Sequence, residues 1–429
     1  MLSFVKIFVR TFGCTLNQHD SEVIKGILAS NGHELTEDLE DAEVVVVNTC
    51  AVKQPTENKV INFLKKLDPK KVIVSGCLPL INLERLRRET KVKVILGPSP
   101  GEKILIALEK LRKGETFIEV EPSMPSLETP KIRKNPIIEI IPISYGCLGS
   151  CSYCCVRFAR GKLRSYKPEE IVGRVRKAIL EGVKEIWLTS QDTGAYGLDI
   201  DSDLPSLLSR ILGVDGDFYV RIGMMNPENL KRIFDEFLEV FEDRRIFKFL
   251  HLPIQSGDNR ILKLMNRRYK IEEVEEMISE FRKKFKELTL ETDVICGFPG
   301  EGEEEFKHTL DFLRRVKPDV VNISRFFPRP GTEASKMELI HGRIIKGRSR
   351  LLTRLCKSIS LKRNQRWLGW EGEVLVDEEG KKGSLIGRNF AYKPAVIRSE
   401  GSRRVKLGEV IKVRICEAKP TYLVGEIVE

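Results

Sequence analysis

Apolar residues over the first 115 positions fall in short β-branched runs separated by amphipathic stretches. VKIFVRTFGC, VVVVNTC, KVIVSGC and VKVIL read as strands, and 17–31, 55–67, 82–89 and 101–113 as the helices after them. Strands that alternate with helices predict a parallel sheet. The period then disappears. Residues 121–136, EPSMPSLETPKIRKNP, carry four prolines and read as a linker. The alternation resumes in IIEIIPIS, EIWLTS, FYVRIGM, FKFLHLP, LTLETDVICG and DVVNISRFF, with helical stretches between them. Six such units are too few for a closed eightfold barrel and predict an open, partial one. A helical stretch follows over 335–367. After it GEVLVDEEG, KGSLIGRNF, PAVIRS, EVIKVRICEA and TYLVGEIVE predict a small closed or nearly closed β-barrel of OB type. The expected fold class is α/β: an N-terminal parallel α/β domain (1–118), a linker (119–134), a central partial (β/α)6 barrel with a basic helical extension (135–365), and an OB-like β-barrel (366–429).

Composition narrows the chemistry. No apolar run approaches the ~20 residues of a membrane helix. MLSFVKIFVRTFGC is interrupted by Lys6 and Arg10, so it reads as a first strand and not a signal peptide. A soluble, cytoplasmic chain without a membrane partner is expected. In that compartment a disulfide knot is out of place, so the ten cysteines point to metal or thiol chemistry. Lys and Arg exceed Asp and Glu by 73 to 62, a hint of a polyanionic partner. A mixed-charge solvated surface is the plain alternative.

Two groups of cysteines stand out. Cys14, Cys50 and Cys77 each end a predicted strand, so a parallel sheet brings three thiols to its ligand-binding edge. Three buried structural cysteines are the alternative. With no evident fourth ligand, a metal there keeps an open position. Cys147, Cys151 and Cys154, spaced C-x3-C-x2-C, follow the first strand of the partial barrel. Zinc prefers four closed ligands, but the next histidine is His251, and Cys155 adjoins Cys154, so the two side chains diverge. The flanks differ from a thioredoxin-type redox pair. A cubane iron–sulfur cluster on three thiolates, with one iron open and Tyr153 as cover, fits better. Cys155, Cys296, Cys356 and Cys416 read as structural. From Leu339 to Trp370 there are nine Lys or Arg and no acid. Arg343, Lys346, Arg348, Arg350 and Arg354 are therefore candidates for a phosphate backbone, against the plain reading of an ordinary basic helix. The C-terminal barrel is nearly neutral and offers Arg388, Phe390 and Tyr392 for stacking.

GCLGSCSYCCVRFARGKLRS resembles the cluster loop of radical S-adenosylmethionine enzymes, in the version found in methylthiotransferases. The resemblance covers nearly the whole chain and extends to the three N-terminal cysteines and a C-terminal barrel similar to the RNA-binding TRAM domain. Gly302 and Cys155 depart from the usual pattern. EIWLTSQDTGAYG, HLPIQSG, DVICGFPGE and FFPRPGTEASKM resemble the archaeal and eukaryotic subgroup that acts on N6-threonylcarbamoyladenosine beside the anticodon, without the eukaryotic C-terminal anchor. The resemblance implies two 4Fe-4S clusters. One, on the catalytic Cys147, Cys151 and Cys154, binds S-adenosylmethionine. The other, on Cys14, Cys50 and Cys77, offers sulfur, and a second S-adenosylmethionine supplies the methyl group. It further implies Ser190, Gln191 and Asp192 at the methionine end of the cofactor, Arg221 on its carboxylate, Gln255 and Ser256 at the ribose, and Gly297 at the adenine. Arg157, Arg160, Arg325 and Arg329 are candidates for the threonylcarbamoyl carboxylate. Implied partners are tRNA, an electron donor of flavodoxin or ferredoxin type and a sulfur source, acting on a monomer. Rival readings are action on isopentenyladenosine tRNA or a ribosomal-protein aspartate, and a non-catalytic iron–sulfur RNA-binding protein.

Overall fold

A computed structural model describes residues 4–398 and 405–428. The N-terminal sheet is parallel throughout. Its strands are β1 (Lys6–Thr11), β2 (Glu34–Thr36), β3 (Val44–Thr49), β4 (Val72–Gly76), β5 (Val94–Leu96) and β6 (Phe117–Glu119), ordered β2-β1-β3-β4-β5-β6. Every residue of β3 is buried, as a strand covered on both faces requires. Helices α1 (Thr15–Ser30) and α4 (Lys103–Arg112) pack on one face, and α2 (Gln54–Leu64) and α3 (Leu78–Thr90) on the other. The three-residue strands β2 and β6 add to the four expected from the pattern.

The proline-rich segment has no regular element, but it is not a loose tether. A Cβ at Gly26 of α1 would overlap the backbone of Pro130 and Lys131. Lys131 and Arg133 both pair with the buried Glu139.

The central domain has the six expected strands. They are β7 (Ile138–Pro142), β10 (Glu185–Thr189), β11 (Tyr219–Ile222), β12 (Phe249–His251), β13 (Thr289–Cys296) and β14 (Val320–Arg325), with a short ribbon of β8 (Ser144–Tyr145) and β9 (Arg164–Ser165). They form two parallel ladders, β11-β10-β7 and β12-β13-β14, joined by one parallel bridge, Val220 to Ile246. The arc is open, as six units dictate. Alternate residues such as Ile141, Leu188, Val220, Leu250 and Leu290 enter the core under the outer helices. Their neighbours face the barrel interior.

After the helix Gly342–Gln365 come β15 (Glu371–Glu379), β16 (Leu385–Arg388), β17 (Pro394–Arg398), β18 (Val410–Ala418) and β19 (Leu423–Ile427). They close into a barrel ordered β15-β16-β17-β19-β18. Ser399 and Glu429, the last residues of two expected strands, lie outside the described residues.

This small barrel docks under the large one, at the N-terminal ends of its strands. Asn135 donates to the Asp377 carbonyl (2.6 Å), the Lys248 amide to the Phe390 carbonyl (2.7 Å), and Lys393 pairs with Asp319 (2.8 Å). Tyr392 packs against Phe249 and the guanidinium groups of Arg221 and Arg388. Burial pushes the Asp377 carboxyl up to about 8, against the pull of Arg388 and with Glu185 and Glu378 adding to the rise. A carboxyl raised in the folded state stabilises below its unfolded value of about 4 and loses that contribution as pH rises through about 8. The melting temperature is therefore expected to fall between pH 5 and pH 9, measured by calorimetry, and Asp377→Asn to flatten the slope. An unchanged slope in the variant would count against this linkage.

Candidate functional site

β1, β3 and β4 are neighbours, so their C-terminal ends bring Cys14, Cys50 and Cys77 together. Cys14 and Cys77 occupy the N-caps of α1 and α3, where the helix dipole favours a negative sulfur. Gly13 has φ +132°, and a Cβ there would strike Cys50 Cβ and the Asn17 side chain. Asn17 and Asn48, both buried, tie α1 to β3: Asn48 Nδ2 donates to the Asn17 carbonyl (2.8 Å), and Asn17 Nδ2 to Asn48 Oδ1 (3.1 Å). The Cys14 thiol donates to Asn17 Oδ1 at 3.3 Å.

The second trio lies in the loop that β8 and β9 close. Gly146 (φ +77°) is forced, because a Cβ would overlap the Lys162 carbonyl. The Gly149 amide donates to Cys147 Sγ at 3.2 Å, and Arg267 Nη1 approaches Cys151 Sγ at 3.5 Å. Tyr153 stacks edge-on against Phe298. Cys155 is buried in the core cluster of the N-terminal domain that includes Leu78 and Ile81.

All ten cysteines are free. Burial, reinforced by Cys77 and Cys14, pushes Cys50 up to about 12. Burial pushes Cys147 up to about 11 and raises Cys77 and Cys154. Thiols held neutral in this way ionise only against a cationic centre. Among the described residues no three His, Cys, Asp or Glu side chains close on a point suited to one ion. Two histidine-free thiol trios of this kind fit iron–sulfur clusters better than zinc.

The trios belong to different domains, and two buried ion pairs lock the interface between them. Arg160, on helix α5 (Val156–Arg160) just past the second trio, pairs with Asp20 of α1 at 2.8 Å and donates to Ser99 Oγ at 3.0 Å. Its charge also acts on Cys77 of the first trio, against the rise that burial imposes on that thiol. Arg329 pairs with Glu57 of α2. Removing one partner of such a buried pair costs about 3–5 kcal/mol. Arg160 and Arg329 are thus committed to the interface and do not face a substrate carboxylate. Arg157 has no ion-pair partner among the described residues, and Arg325 only donates to Ser349 Oγ at 2.9 Å.

The expected cofactor contacts divide. Asp192 accepts from the Asn226 amide (2.9 Å) and Asn229 Nδ2 (2.7 Å), while burial pushes its carboxyl up to about 6. The proximity of Cys147 is felt electrostatically. Ser190 Oγ accepts from the Asp192 amide, and Gln191 Oε1 is buried without a partner. These three remain at the mouth. Gln255 holds a left-handed φ of 69° and bridges to β13. Three expectations change. Arg221 turns toward the barrel floor, its guanidinium 5.1–5.3 Å from the rings of Trp187, Phe249 and Tyr392. Ser256 is 1% exposed and accepts from the Asp258 amide, a local turn. Gly297 makes room for Ile345, whose Cγ1 would lie 2.5 Å from an added Cβ, so packing explains this glycine.

Residues not singled out from the sequence line the interior. His251 Nε2 lies 2.6 Å from Asp293 Oδ2, and Asn322 Nδ2 donates to Glu291 at 2.7 Å. Polar residues at the inward positions of predicted strands were the available signal.

The basic helix also divides. Arg348 is buried and bonded to Glu301 and Glu303, because a buried guanidinium must be paired. Arg343, Lys346, Arg350 and Arg354 are exposed. With Lys357 they follow spacings of three, four, four and three, which places them on one face. Tyr392 and Arg388 are occupied at the barrel floor, leaving Phe390, beside Trp367 and Trp370, half-exposed.

Residues 141–313 match the radical SAM superfamily, 6–97 Uncharacterized protein family UPF0004, and 365–428 the TRAM domain. A protein of Pyrococcus abyssi named probable threonylcarbamoyladenosine tRNA methylthiotransferase is 45% identical over 99% of each chain. A Xenopus laevis protein named threonylcarbamoyladenosine tRNA methylthiotransferase is 36% identical over 99% of this chain and 77% of its own. Among solved structures, a radical S-adenosylmethionine methyltransferase from Kitasatospora setae has a TM-score of 0.56 at 15% identity, covering 77% of this chain and 75% of its own. No described helix is long and apolar enough to cross a membrane.

Proposed function

The chain belongs to the threonylcarbamoyladenosine tRNA methylthiotransferases of the radical SAM superfamily, and on that premise we propose that it replaces the C2 hydrogen of N6-threonylcarbamoyladenosine in tRNA by a methylthio group. The observation that carries the reading is the pair of thiol trios, one at the C-terminal ends of β1, β3 and β4 and one in the loop after β8, in domains joined by the buried Arg160–Asp20 and Arg329–Glu57 pairs. Cys147, Cys151 and Cys154 hold the cluster that radical SAM chemistry needs, and Cys14, Cys50 and Cys77 hold a second. When bound, the first supplies the electron that cleaves S-adenosylmethionine, and the second supplies the sulfur. The side chains do the rest. Asp192, fixed by Asn226 and Asn229, and Gln191 orient the cofactor's methionine end. The His251–Asp293 pair provides a fixed polar surface inside the barrel. The C-terminal barrel closes the floor and excludes water. An external one-electron donor of flavodoxin or ferredoxin type and a separate sulfur source complete the reaction in the cytoplasm. The test is nucleoside mass spectrometry of tRNA co-expressed with the chain. The 2-methylthio derivative of threonylcarbamoyladenosine is expected, and its absence in cells that make the precursor would refute the assignment.

The exposed face of the long helix is the proposed track for the tRNA backbone. Arg350→Glu, Arg354→Glu and Lys357→Glu together should weaken tRNA binding and lower the magnitude of the log–log salt slope by about one unit per lost phosphate contact. Arg348 is left out because its charge already meets Glu301 and Glu303. An unchanged slope would move RNA binding to another face.

A further inference from the structure

Each cysteine trio receives one guanidinium, and the two are compensated differently. The charge of Arg160 acts on Cys77, but it is cancelled by Asp20 at 2.8 Å. Asp20 also accepts from Ser99 Oγ (2.6 Å) and the Tyr145 hydroxyl (3.3 Å), so the pair is held in place. Arg267 approaches Cys151 Sγ at 3.5 Å. Its other bonds go to neutral groups, the Pro253 carbonyl at 2.9 Å and the Tyr269 hydroxyl at 3.0 Å, and its guanidinium lies 5.0 Å from the Tyr269 ring centroid. The carboxylate that senses it, Asp192, is bonded by Asn226 and Asn229. A positive charge in a low-dielectric site favours an added electron nearby, and a neutral ion pair does so far less.

Resting on the two-cluster reading above, we propose that Arg267 and the Arg160–Asp20 pair set the two clusters to different reduction potentials, so that an external donor's electron is drawn first to the Cys147–Cys151–Cys154 site. One electron leaves the donor and arrives at that site; no bond is made or broken. Arg267 and Asp20 are therefore positioning residues that act through charge.

The test is an anaerobic potentiometric titration of the reconstituted full chain, followed by electron paramagnetic resonance without S-adenosylmethionine. The variant Cys14→Ala, Cys50→Ala, Cys77→Ala assigns the signals. Arg267→Gln is expected to lower the midpoint of the Cys151-site signal alone by about tenfold in the reduction equilibrium, about 59 mV for one electron. Arg267→Lys should leave it in place. Asp20→Asn should raise the Cys77-site signal alone, Arg160→Gln should lower it, and the double variant should return it toward the parent value. Unmoved midpoints in Arg267→Gln and Asp20→Asn, with circular dichroism and iron content intact, would overturn the inference. So would both signals moving together. A parent chain that takes up about four irons instead of about eight would instead refute the two-cluster reading, and this inference with it. Should Arg160→Gln fail to fold, Asp20→Asn and Arg267→Gln decide the question.

Discussion

A tRNA that lacks the threonylcarbamoyl group is expected to be used about 10⁴-fold less efficiently than one that carries it. The target base must leave the anticodon-loop stack, at a cost of a few kcal/mol, and the binding site has to repay that. Two arginines are available to do so. Arg157 is half-buried without an ion-pair partner among the described residues, and Arg325 holds only the Ser349 hydroxyl. A guanidinium fork suits a carboxylate, which the threonylcarbamoyl group presents. Unmodified adenosine leaves both forks empty, and an isopentenyl group desolvates them without a hydrogen bond, which is worse. Arg160 and Arg329 are not expected to contribute directly, because Asp20 and Glu57 already hold them. The measurement is kcat/KM on anticodon stem–loops carrying threonylcarbamoyladenosine, adenosine or isopentenyladenosine. Arg157→Gln and Arg325→Gln should reduce the first, leave adenosine nearly unchanged and leave isopentenyladenosine unchanged or improved. Equal use of all three, or a preference for isopentenyladenosine, would sink the assignment.

The arginines also show where reading the sequence stops. Most strands of the partial barrel are legible because they are long enough to show which side is apolar, and the three-residue β12 is legible from the apolar run FKFLHLP around it. β2 and β6, with three residues each, are too short to carry a period. The cysteine trios were legible because each thiol ends a strand or follows one, and parallel topology then gathers them. Charge was the hard part. Nine basic residues in a row of helical turns look alike on paper, but Arg348 meets Glu301 and Glu303, more than forty positions earlier. The resemblance implies Arg221 on the cofactor's carboxylate, at the mouth. Its direction is decided by Tyr392, about 170 positions later, when the small barrel fills the floor. Arg267 carried no signal of its own in NRRY. Only the packing of that turn against the cysteine loop, with Asn266 Nδ2 donating to the Ser150 carbonyl at 2.9 Å, brings it to Cys151.

Cys50→Ala is expected to abolish methylthiolation and leave cleavage of S-adenosylmethionine to 5′-deoxyadenosine near the parent rate, whereas Cys151→Ala should abolish both. Cys50 follows the last residue of β3, and its side chain can be shortened without touching the strand register or the Asn17–Asn48 clamp. The Arg160–Asp20 and Arg329–Glu57 pairs remain, so the domains stay locked and the barrel mouth keeps its shape. Asp192, Gln191 and the cysteine loop lie on the other side of that interface and make no bond to Cys50. Cys151 belongs to that loop and faces Arg267, so its loss strikes the proposed cofactor site. Two readouts on the same anaerobic reaction separate the variants: chromatography of 5′-deoxyadenosine and mass spectrometry of the nucleoside product. Circular dichroism and the melting temperature establish that each variant is folded. A folded Cys50→Ala protein that no longer cleaves S-adenosylmethionine would mean that the two trios do not divide the labour, and that the N-terminal site takes part in holding the cofactor.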